Sequence, residues 1–389
     1  MGFGRVILAG GIAEGTWSGW AVSFFTELAA GFERLGLHVT NLQLGRDDGR
    51  EVLAGHLDAA LNSGEPFFLL DGNATIACQL PSNIKVPTFS LIVDHPLSHT
   101  TVAGLRENAS MGVIDRNHAA LSGYTPAQVI FLPHGGPGIY PEVVPWEDRC
   151  YDVIFPGNID VDYLQGRELL LSKLNDSFVK IVNKSVDMTV EFFVDPFESL
   201  VKSLSDGGVS IGDLRYDQFS ALLNYVSMLS QSHIREKILN GFGDVRVLVA
   251  GSVASSIRER MPPNVTFSGP QTFQQILEKI RMSKIVLNIS HKFTCGSHER
   301  VYYAMANHSV AMTQYNQFFG EDFCDGDNII FYKGVDIDCE RVRNMLSSPD
   351  LAELSRNALL PYRQKHRWAM RASVILQTMN NRHFPHEVM

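Results

Sequence analysis

Two consecutive segments in the second half of the chain decide the fold: residues 283–290 (SKIVLNIS) and residues 296–306 (GSHERVYYAMA). The first is a short apolar run that ends in polar residues, which is typical of a strand buried in a parallel sheet. The second opens with glycine and serine and continues with helical spacing, so it predicts a helix that starts at His298. A buried strand that leads through a loop into a helix is the unit from which parallel α/β sheets are built.

The same unit recurs on both sides of these segments. Further strands are predicted at residues 152–155, 246–250, 265–267, 310–313 and 329–332, with a helix at 272–281 and one or two long helices at 351–379. Residues 160–240 are mostly helical by pattern. The second half of the chain is therefore predicted to be an α/β domain with a helical insertion near residues 160–240.

The first half alternates in the same way. Its predicted strands are residues 5–9, 37–44, 66–70, 88–93, 112–114 and 129–132, and residues 21–35 are predicted to be a helix. Residues 137–148 contain three prolines and no periodicity, which is typical of a linker between domains. We predict a domain at residues 1–145, a second at 146–360, and a C-terminal helix at 361–389 that returns to the first domain.

Composition excludes several classes of protein. The chain has 389 residues, which suits two α/β domains, and its net charge of −9 disfavours a general nucleic-acid binder, because neutralising phosphates needs a basic face. The five cysteines form no CxxC pair, so neither a zinc knuckle nor a disulfide framework is indicated. No apolar stretch reaches the ~18 residues that cross a bilayer. We expect a soluble cytoplasmic protein with at most peripheral membrane contact.

Three common catalytic motifs are missing from the sequence. It contains no HExxH pair for zinc, no GxxxxGK[ST] phosphate loop, and no GxGxxG after a strand. A zinc protease, a P-loop enzyme and a classical dinucleotide oxidoreductase are therefore disfavoured.

The second half resembles the CgeB-like branch of the group 1 glycosyltransferases. The resemblance rests on residues 155–158 (FPGN), 247–252 (VLVAGS), 264–270 (NVTFSGP), 283–290, 296–306, 319–328 (FGEDFCDGDN) and 365–372 (KHRWAMRA), in that order. It implies two Rossmann-like doubly wound domains that face each other across a cleft, an arrangement called the glycosyltransferase-B type. It further implies transfer of a sugar from a nucleotide-sugar donor to a hydroxyl of a glycan, a lipid-linked sugar or a protein.

A helix N-terminus suits the donor's pyrophosphate, because free backbone N–H groups and a partial positive charge attract an anion. Glycine before the helix lets the backbone approach closely, and Arg300 in the first turn can add a bidentate contact. These groups make a metal unnecessary, and no cofactor is expected besides the donor. The predicted donor site comprises Gly157, Asn158, Gly251, Ser252, Lys292, Gly296, Ser297, His298, Glu299, Arg300 and Tyr303. Tyr303 stands where the family's ribose-binding glutamate is expected, and Glu299 is a possible substitute.

The first domain is predicted to bind the acceptor and to supply a general base. Asp94 and His95 follow a predicted strand, and Asp or His is suited to accept a hydroxyl proton at neutral pH. His134 is the next candidate, and Asp115 and His118 lie at another strand end. Aromatic rings stack on the apolar faces of sugars, so Trp17 and Trp20 are predicted to contact the acceptor.

Two other functions fit the same features. A nucleotide-sugar epimerase would bind the same donor on the same architecture. A protein with a degenerate glycosyltransferase fold would recognise a nucleotide sugar or a partner without catalysis, and the tyrosine at position 303 keeps this alternative open.

Overall fold

The computed structural model describes residues 2–11, 20–44, 48–120, 127–164 and 166–385. The chain divides into two compact units, one formed by residues 1–138 together with 364–389 and the other by residues 139–363. The division after residue 138 precedes the predicted boundary at 145, and residues 139–148 lie within the second unit.

Strands and helices alternate along most of the chain. The strands are β1 (Arg5–Gly11), β2 (His38–Leu44), β3 (Phe67–Gly72), β4 (Thr88–Ile92), β5 (Ala109–Val113), β6 (Gln128–Phe131), β7 (Tyr151–Pro156), β8 (Val247–Ala250), β9 (Val265–Phe267), β10 (Ser283–Leu287), β11 (Val310–Gln314) and β12 (Ile330–Tyr332). The helices are α1 (Trp20–Arg34), α2 (Gly49–Ser63), α3 (Arg116–Ala119), α4 (Gly166–Leu171), α5 (Asp176–Phe192), α6 (Pro196–Asp206), α7 (Tyr216–Asn240), α8 (Ser255–Arg260), α9 (Phe273–Arg281), α10 (Glu299–Ala306), α11 (Gln317–Gly320), α12 (Cys339–Ser347), α13 (Asp350–Lys365) and α14 (Trp368–His383).

The first unit is built on a parallel sheet of six strands in the order β2-β1-β3-β4-β5-β6. The chain starts in β1, adds β2 on one side and continues with β3 on the other. Strand order therefore reverses between β1 and β3, as in doubly wound folds. Strands β3, β4 and β5 are buried along their whole length, because helices or loops cover both faces of a parallel sheet.

One face of this sheet is covered by α1 and α14. The rings of Phe24 and Trp368 lie 5.2 Å apart, and both residues are about 1% exposed. Two arginines tie α14 to the sheet: Arg371 donates to the carbonyl oxygens of Pro133 and His134, and Arg382 donates to that of Ala109. The final helix is thus part of the core of the first unit.

The second unit contains a parallel sheet of six strands in the order β12-β11-β10-β7-β8-β9. Here the reversal lies between β7 and β10, because β8 and β9 extend the sheet on one side of β7 and the later strands extend it on the other. The helices α4 to α7 follow β7 where the helical insertion was predicted. Arg149 anchors the segment before β7 by donating to the Ser283 carbonyl oxygen at 2.6 Å and to the Ser309 hydroxyl at 2.9 Å.

Two parallel six-stranded sheets with flanking helices confirm the predicted α/β fold class. Among the described residues, no helix is both long enough and apolar enough to cross a membrane.

Candidate functional site

Arg300 lies at the strand reversal of the second sheet. Its Nε donates to the carbonyl oxygen of Pro156, at the end of β7, over 2.7 Å, and its Nη1 donates to Asn288 Oδ1, just after β10, over 2.8 Å. Asn288 Nδ2 in turn donates to Thr313 Oγ1 in β11 over 2.8 Å. The guanidinium therefore bridges the two neighbouring strands between which doubly wound sheets bind their ligands.

A second guanidinium, that of Arg235 on α7, lies beside the first. The Cζ atoms of Arg235 and Arg300 are 5.4 Å and 5.3 Å from the centroid of the same Phe155 ring. Arg235 is 9% exposed, and its Nη1 donates to the carbonyl oxygen of Asn158. The aromatic ring and the loop after β7 thus hold two cationic groups close together.

Asp160 and Glu299 act on Arg235 and Arg300 from a distance, but no carboxylate of the described residues lies within the 4 Å of an ion pair with either guanidinium. Burial and the nearby Arg300 lower the pKa of Arg235 to about 9, and burial also lowers the pKa of Arg300. Arg235 Nε is buried without a hydrogen-bond partner among the described residues. Both groups stay protonated at neutral pH, so the arrangement is a buried positive site that an anion would neutralise.

Two glycine loops pack against each other next to these arginines. A Cβ atom on Gly251 would lie 2.6 Å from Asn158 Oδ1 and would also collide with the Gly157 carbonyl group. Asn158 Oδ1 accepts a hydrogen bond from the backbone N–H of Ser252 over 2.9 Å. The structure therefore brings Gly157, Asn158, Gly251 and Ser252 together at the carboxyl ends of β7 and β8.

The start of α10 differs from the prediction. The helix begins at Glu299, one residue later than expected, and His298 is its N-cap, since its Nδ1 accepts from the Arg300 N–H over 3.3 Å. Ser297 is fully buried before the cap, and the carbonyl oxygen of Gly296 accepts from Asn316 Nδ2 over 2.9 Å. A histidine can cap because its ring nitrogen reaches the same N–H that a serine oxygen would reach.

Tyr303 and Glu299 have different surroundings. Tyr303 is 3% exposed, and its ring meets that of Phe273 edge-on at 5.3 Å. Glu299 is partly exposed, with its carboxylate 3.1 Å from His298 Nδ1 at the start of α10. Lys292 lies in the loop after β10, two residues beyond Ser290.

Further polar groups surround the arginines. His291 is 1% exposed; its Nε2 lies 3.1 Å from Ser230 Oγ, and its Nδ1 has no hydrogen-bond partner among the described residues. Tyr332 Oη donates to the carbonyl oxygen of Asn288 over 2.8 Å. Burial, together with the charges of Lys292 and Arg235, holds the pKa of His291 well below its usual value, so this ring is neutral.

In the first unit, Asp94 and His95 follow β4, and their side chains differ in exposure. The Asp94 side chain is 46% exposed and lies 3.7 Å from His99 Nε2. His95 is 5% exposed, its Nδ1 accepts from the Leu97 N–H over 3.2 Å, and its ring is 4.4 Å from that of His118. Of the two neighbours, Asp94 is therefore the one whose side chain is exposed to solvent.

The remaining predicted residues of the first unit are buried or lie outside the description. His134 is 2% exposed with its ring 6.2 Å from that of Trp368, and Asp115 is fully buried and accepts from the Asn117 N–H as the N-cap of α3. Burial lowers the pKa of His118 to about 3. Trp17 lies outside the described residues, as does the side chain of Trp20, whose backbone begins α1.

Arg235 is the residue that sequence reasoning missed. It lies within a 25-residue helix whose other charged positions are mostly exposed. From the sequence alone, a single charged residue on such a helix is expected to face solvent. The available signal is its place among the apolar positions Ile234, Ile238 and Leu239, which are all fully buried. A charged side chain on a buried helix face is uncommon without a partner or a ligand.

A comparison with protein families matches part of the chain. The model of the glycosyl transferase-like family matches residues 231–377, a segment that includes Arg235, Asn288 and Arg300. A search of curated proteins finds no match.

Several solved structures share the fold. Sucrose-phosphate synthase from Thermosynechococcus elongatus is 11% identical, with 97% of this chain and 99% of that chain covered and a TM-score of 0.56. HepE of Anabaena, in complex with UDP and glucose, is 9% identical over 96% and 99% of the two chains, with a TM-score of 0.54. AviGT4, a glycosyltransferase of avilamycin A biosynthesis, is 12% identical over 97% of both chains, with a TM-score of 0.52.

The fold is thus that of the glycosyltransferase-B type enzymes. Together with the family model, it confirms the prediction of a glycosyltransferase at the level of the class. The CgeB-like branch is a finer assignment, which these comparisons do not reach, and it stays a prediction.

Proposed function

We propose that this protein transfers a sugar from a nucleoside diphosphate sugar to a hydroxyl group of a glycan, a lipid-linked sugar or a protein, without a divalent metal. The observation that carries the proposal is the pair of guanidinium groups, Arg235 and Arg300, that flank Phe155 with no carboxylate within ion-pair distance among the described residues. A diphosphate is the anion that two fixed guanidiniums at a strand reversal are suited to bind.

In this proposal the two arginines also assist the chemistry. Negative charge grows on the diphosphate as the bond to the sugar breaks, so positive groups fixed nearby stabilise the transition state more than the bound donor. Guanidiniums that are already in place need little reorganisation as this charge grows. They neutralise the charge that Mg²⁺ neutralises in other enzymes. The solved structures of HepE with UDP and glucose, and of an α-glucosyltransferase with UDP and DNA, support a uridine nucleotide as the first donor to test.

Asp94 is our choice for the general base on the acceptor side. Its side chain is partly exposed, whereas His95 and His134 are buried. His118, with a pKa of about 3, is too weak a base to accept a proton near neutral pH. His99 Nε2 lies 3.7 Å from the Asp94 carboxylate, beyond hydrogen-bond distance, and so leaves the carboxylate oxygens able to accept a proton.

The test combines donor binding with turnover. Calorimetry with UDP and with GDP, ADP and dTDP identifies the nucleotide, and release of that nucleotide from its sugar conjugates, with and without simple acceptors, measures activity. We expect Asp94→Asn to reduce transfer at least a hundredfold and to leave nucleotide affinity within twofold, because a base acts only on the acceptor. Asp58→Asn, which changes an exposed aspartate on α2, is the control.

Each alternative gives a different result. An epimerase would convert the sugar while it stays on the nucleotide, which product analysis reveals. Tight nucleotide binding with no turnover of any conjugate would indicate a non-catalytic binder. Full activity of Asp94→Asn would remove Asp94 from the mechanism and leave the donor site intact.

A further inference from the structure

A cavity lies in the second unit, beside the edge strand β12. Its volume is about 430 Å³, within the range of ~300–1,000 Å³ that is usual for ligand sites. Residues from the ends of β11 and β12, from the segment after α11 and from the start of α12 form its walls. The arginine pair does not line it.

The floor of the cavity is apolar, and one aromatic ring stands exposed above it. Met312, Phe323 and Ile330 are at most 2% exposed, whereas Tyr315 is 55% exposed. An exposed aromatic side chain over a buried apolar floor offers a flat surface for a ligand with an apolar face.

Contacts on three sides hold Tyr315 in place. Its ring meets that of Phe331 edge-on at 5.2 Å, and its backbone N–H donates to the carbonyl oxygen of Tyr332 over 3.0 Å. Gly320 packs directly on the ring, because a Cβ atom there would lie 3.0 Å from the Tyr315 ring carbon. The ring is therefore a fixed platform whose ordering costs little conformational entropy on binding.

The rim of the cavity offers polar groups of both signs. Lys333 and Asp336 face each other across a tight turn, where the Asp336 N–H donates to the Lys333 carbonyl oxygen over 3.2 Å. Both side chains are exposed, and neither makes a hydrogen bond or ion pair with the described residues. Arg341, by contrast, is engaged by Asp325 at 2.7 Å.

This balance of charges selects the chemistry of the occupant. Three carboxylates (Asp325, Asp336 and Asp338) and two cations (Lys333 and Arg341) line the cavity, so its charges nearly cancel and a strongly charged ligand is not favoured. No group of three or more metal-ligating side chains among the described residues is placed to hold a metal ion. A sugar ring fits this lining, because its C–H face can stack on a tyrosine and its hydroxyls can form hydrogen bonds with a lysine and a carboxylate.

The cavity also adjoins the arginine site. Tyr332 lines the cavity, and its hydroxyl donates to the carbonyl oxygen of Asn288, whose side chain accepts from Arg300. Two residues, Tyr332 and Asn288, thus connect the wall of the cavity to Arg300.

We propose that this cavity is a saccharide-binding subsite, with Tyr315 as the stacking platform and Asp336 and Lys333 as the hydroxyl-recognising pair. The subsite is separate from the arginine pair, and its saccharide binding does not require that the protein be an active transferase.

The test uses saturation-transfer NMR of the full chain with defined neutral oligosaccharides of two to six units, built from glucose, mannose, galactose or N-acetylglucosamine. We expect at least one series to bind the wild-type protein, and Tyr315→Ala and Asp336→Ala each to weaken that binding at least tenfold. Tyr315→Phe, which keeps the ring, should bind within about threefold of the wild type. Phe192→Ala, which removes another exposed aromatic ring (63% exposed), is the matched control and should change nothing.

Calorimetric binding of UDP to the same variants keeps the two proposals apart. UDP affinity should be unchanged in Tyr315→Ala, which also shows that the variant is folded. Absence of binding by every oligosaccharide to the wild type would overturn the saccharide proposal, as would binding that survives Tyr315→Ala. Absence of UDP binding to the wild-type protein would count against the proposed donor site and not against the saccharide subsite.

Discussion

Replacing Arg235 by methionine should strengthen the folded protein and weaken its binding of a nucleoside diphosphate. The change removes one of the two guanidiniums beside Phe155 and keeps a long, unbranched side chain that fills the same space. A residue that stabilises the fold and a residue that binds a ligand respond in opposite ways to this change, so the variant separates the two roles.

The expected gain in stability follows from the cost of burying the charge. The pKa of Arg235 lies near 9, against 12.5 for a free arginine. Each pKa unit corresponds to ~1.4 kcal/mol, so the folded protein carries a penalty of roughly 3–5 kcal/mol at neutral pH. Loss of the charge-assisted hydrogen bond to the Asn158 carbonyl oxygen costs about 1.5–3 kcal/mol. We therefore expect a net gain of up to about 3 kcal/mol and a higher Tm.

The expected loss in affinity follows from the charge-assisted contact with phosphate. Hydrogen bonds to charged groups contribute ~1.5–3 kcal/mol, which corresponds to about a ten- to hundredfold weaker Kd for UDP. The assay is calorimetric titration with UDP, paired with thermal unfolding of the ligand-free protein. Arg235→Lys keeps the charge and should lose less affinity, while Arg215→Met, an exposed change next to the start of the same helix, is the control.

Two results would refute this reasoning. Unchanged UDP affinity in Arg235→Met would show that the guanidinium pair is not the diphosphate site. A fall in both Tm and affinity would show that Arg235 is a structural residue whose removal damages the site indirectly.

Two further predictions follow from the geometry. His118 is buried and neutral, with a pKa of about 3 against 6.5 when unfolded, so the stability it contributes above pH 6.5 is lost as pH falls towards 3. Urea unfolding of His118→Gln should therefore show a smaller loss of stability between pH 6.5 and 4 than the wild type, and equal losses would contradict this prediction. Burial raises the pKa of Asp71 to about 6, so its protonation increases stability as pH falls, equally in both proteins. Gly251→Ala should weaken UDP binding and lower Tm, because its Cβ would lie 2.6 Å from Asn158 Oδ1, whereas Gly55→Ala, where nothing lies within 4 Å, should be neutral or stabilising; equal effects would show that the loops can separate freely.

Much of the fold was predictable because apolar runs that end in polar residues identify the strands of a parallel sheet. The position of Arg300 was predictable for the same reason, since the first turn of the helix after β10 must lie at the carboxyl edge. Arg235 was not, because its apolar neighbours indicate a buried face of α7 but do not show that this face lies beside the strand reversal, which depends on how the helix packs.

Asp94 and His95 show a second limit. They are adjacent residues just after β4, each of which could act as a general base, and the sequence gives no reason to prefer either. The structure distinguishes them because His95 begins the short helical turn Pro96–Ser98, which directs its ring inward against His118 and leaves Asp94 partly exposed. The predicted helix start at His298 was one residue early, because the His298 ring caps the helix from outside its first turn.

The place of α14 in the first unit has a consequence for how the protein is made. The ribosome completes residues 2–138 long before it reaches Trp368, yet Trp368, Ala372, Ile375 and Met379 belong to the same apolar core as Phe24 and Phe32. Until the last residues emerge, that apolar face stays uncovered in the nascent chain. Folding of the first unit therefore depends on contacts between residues more than 300 positions apart, which is a slow kind of closure and exposes the growing chain to aggregation.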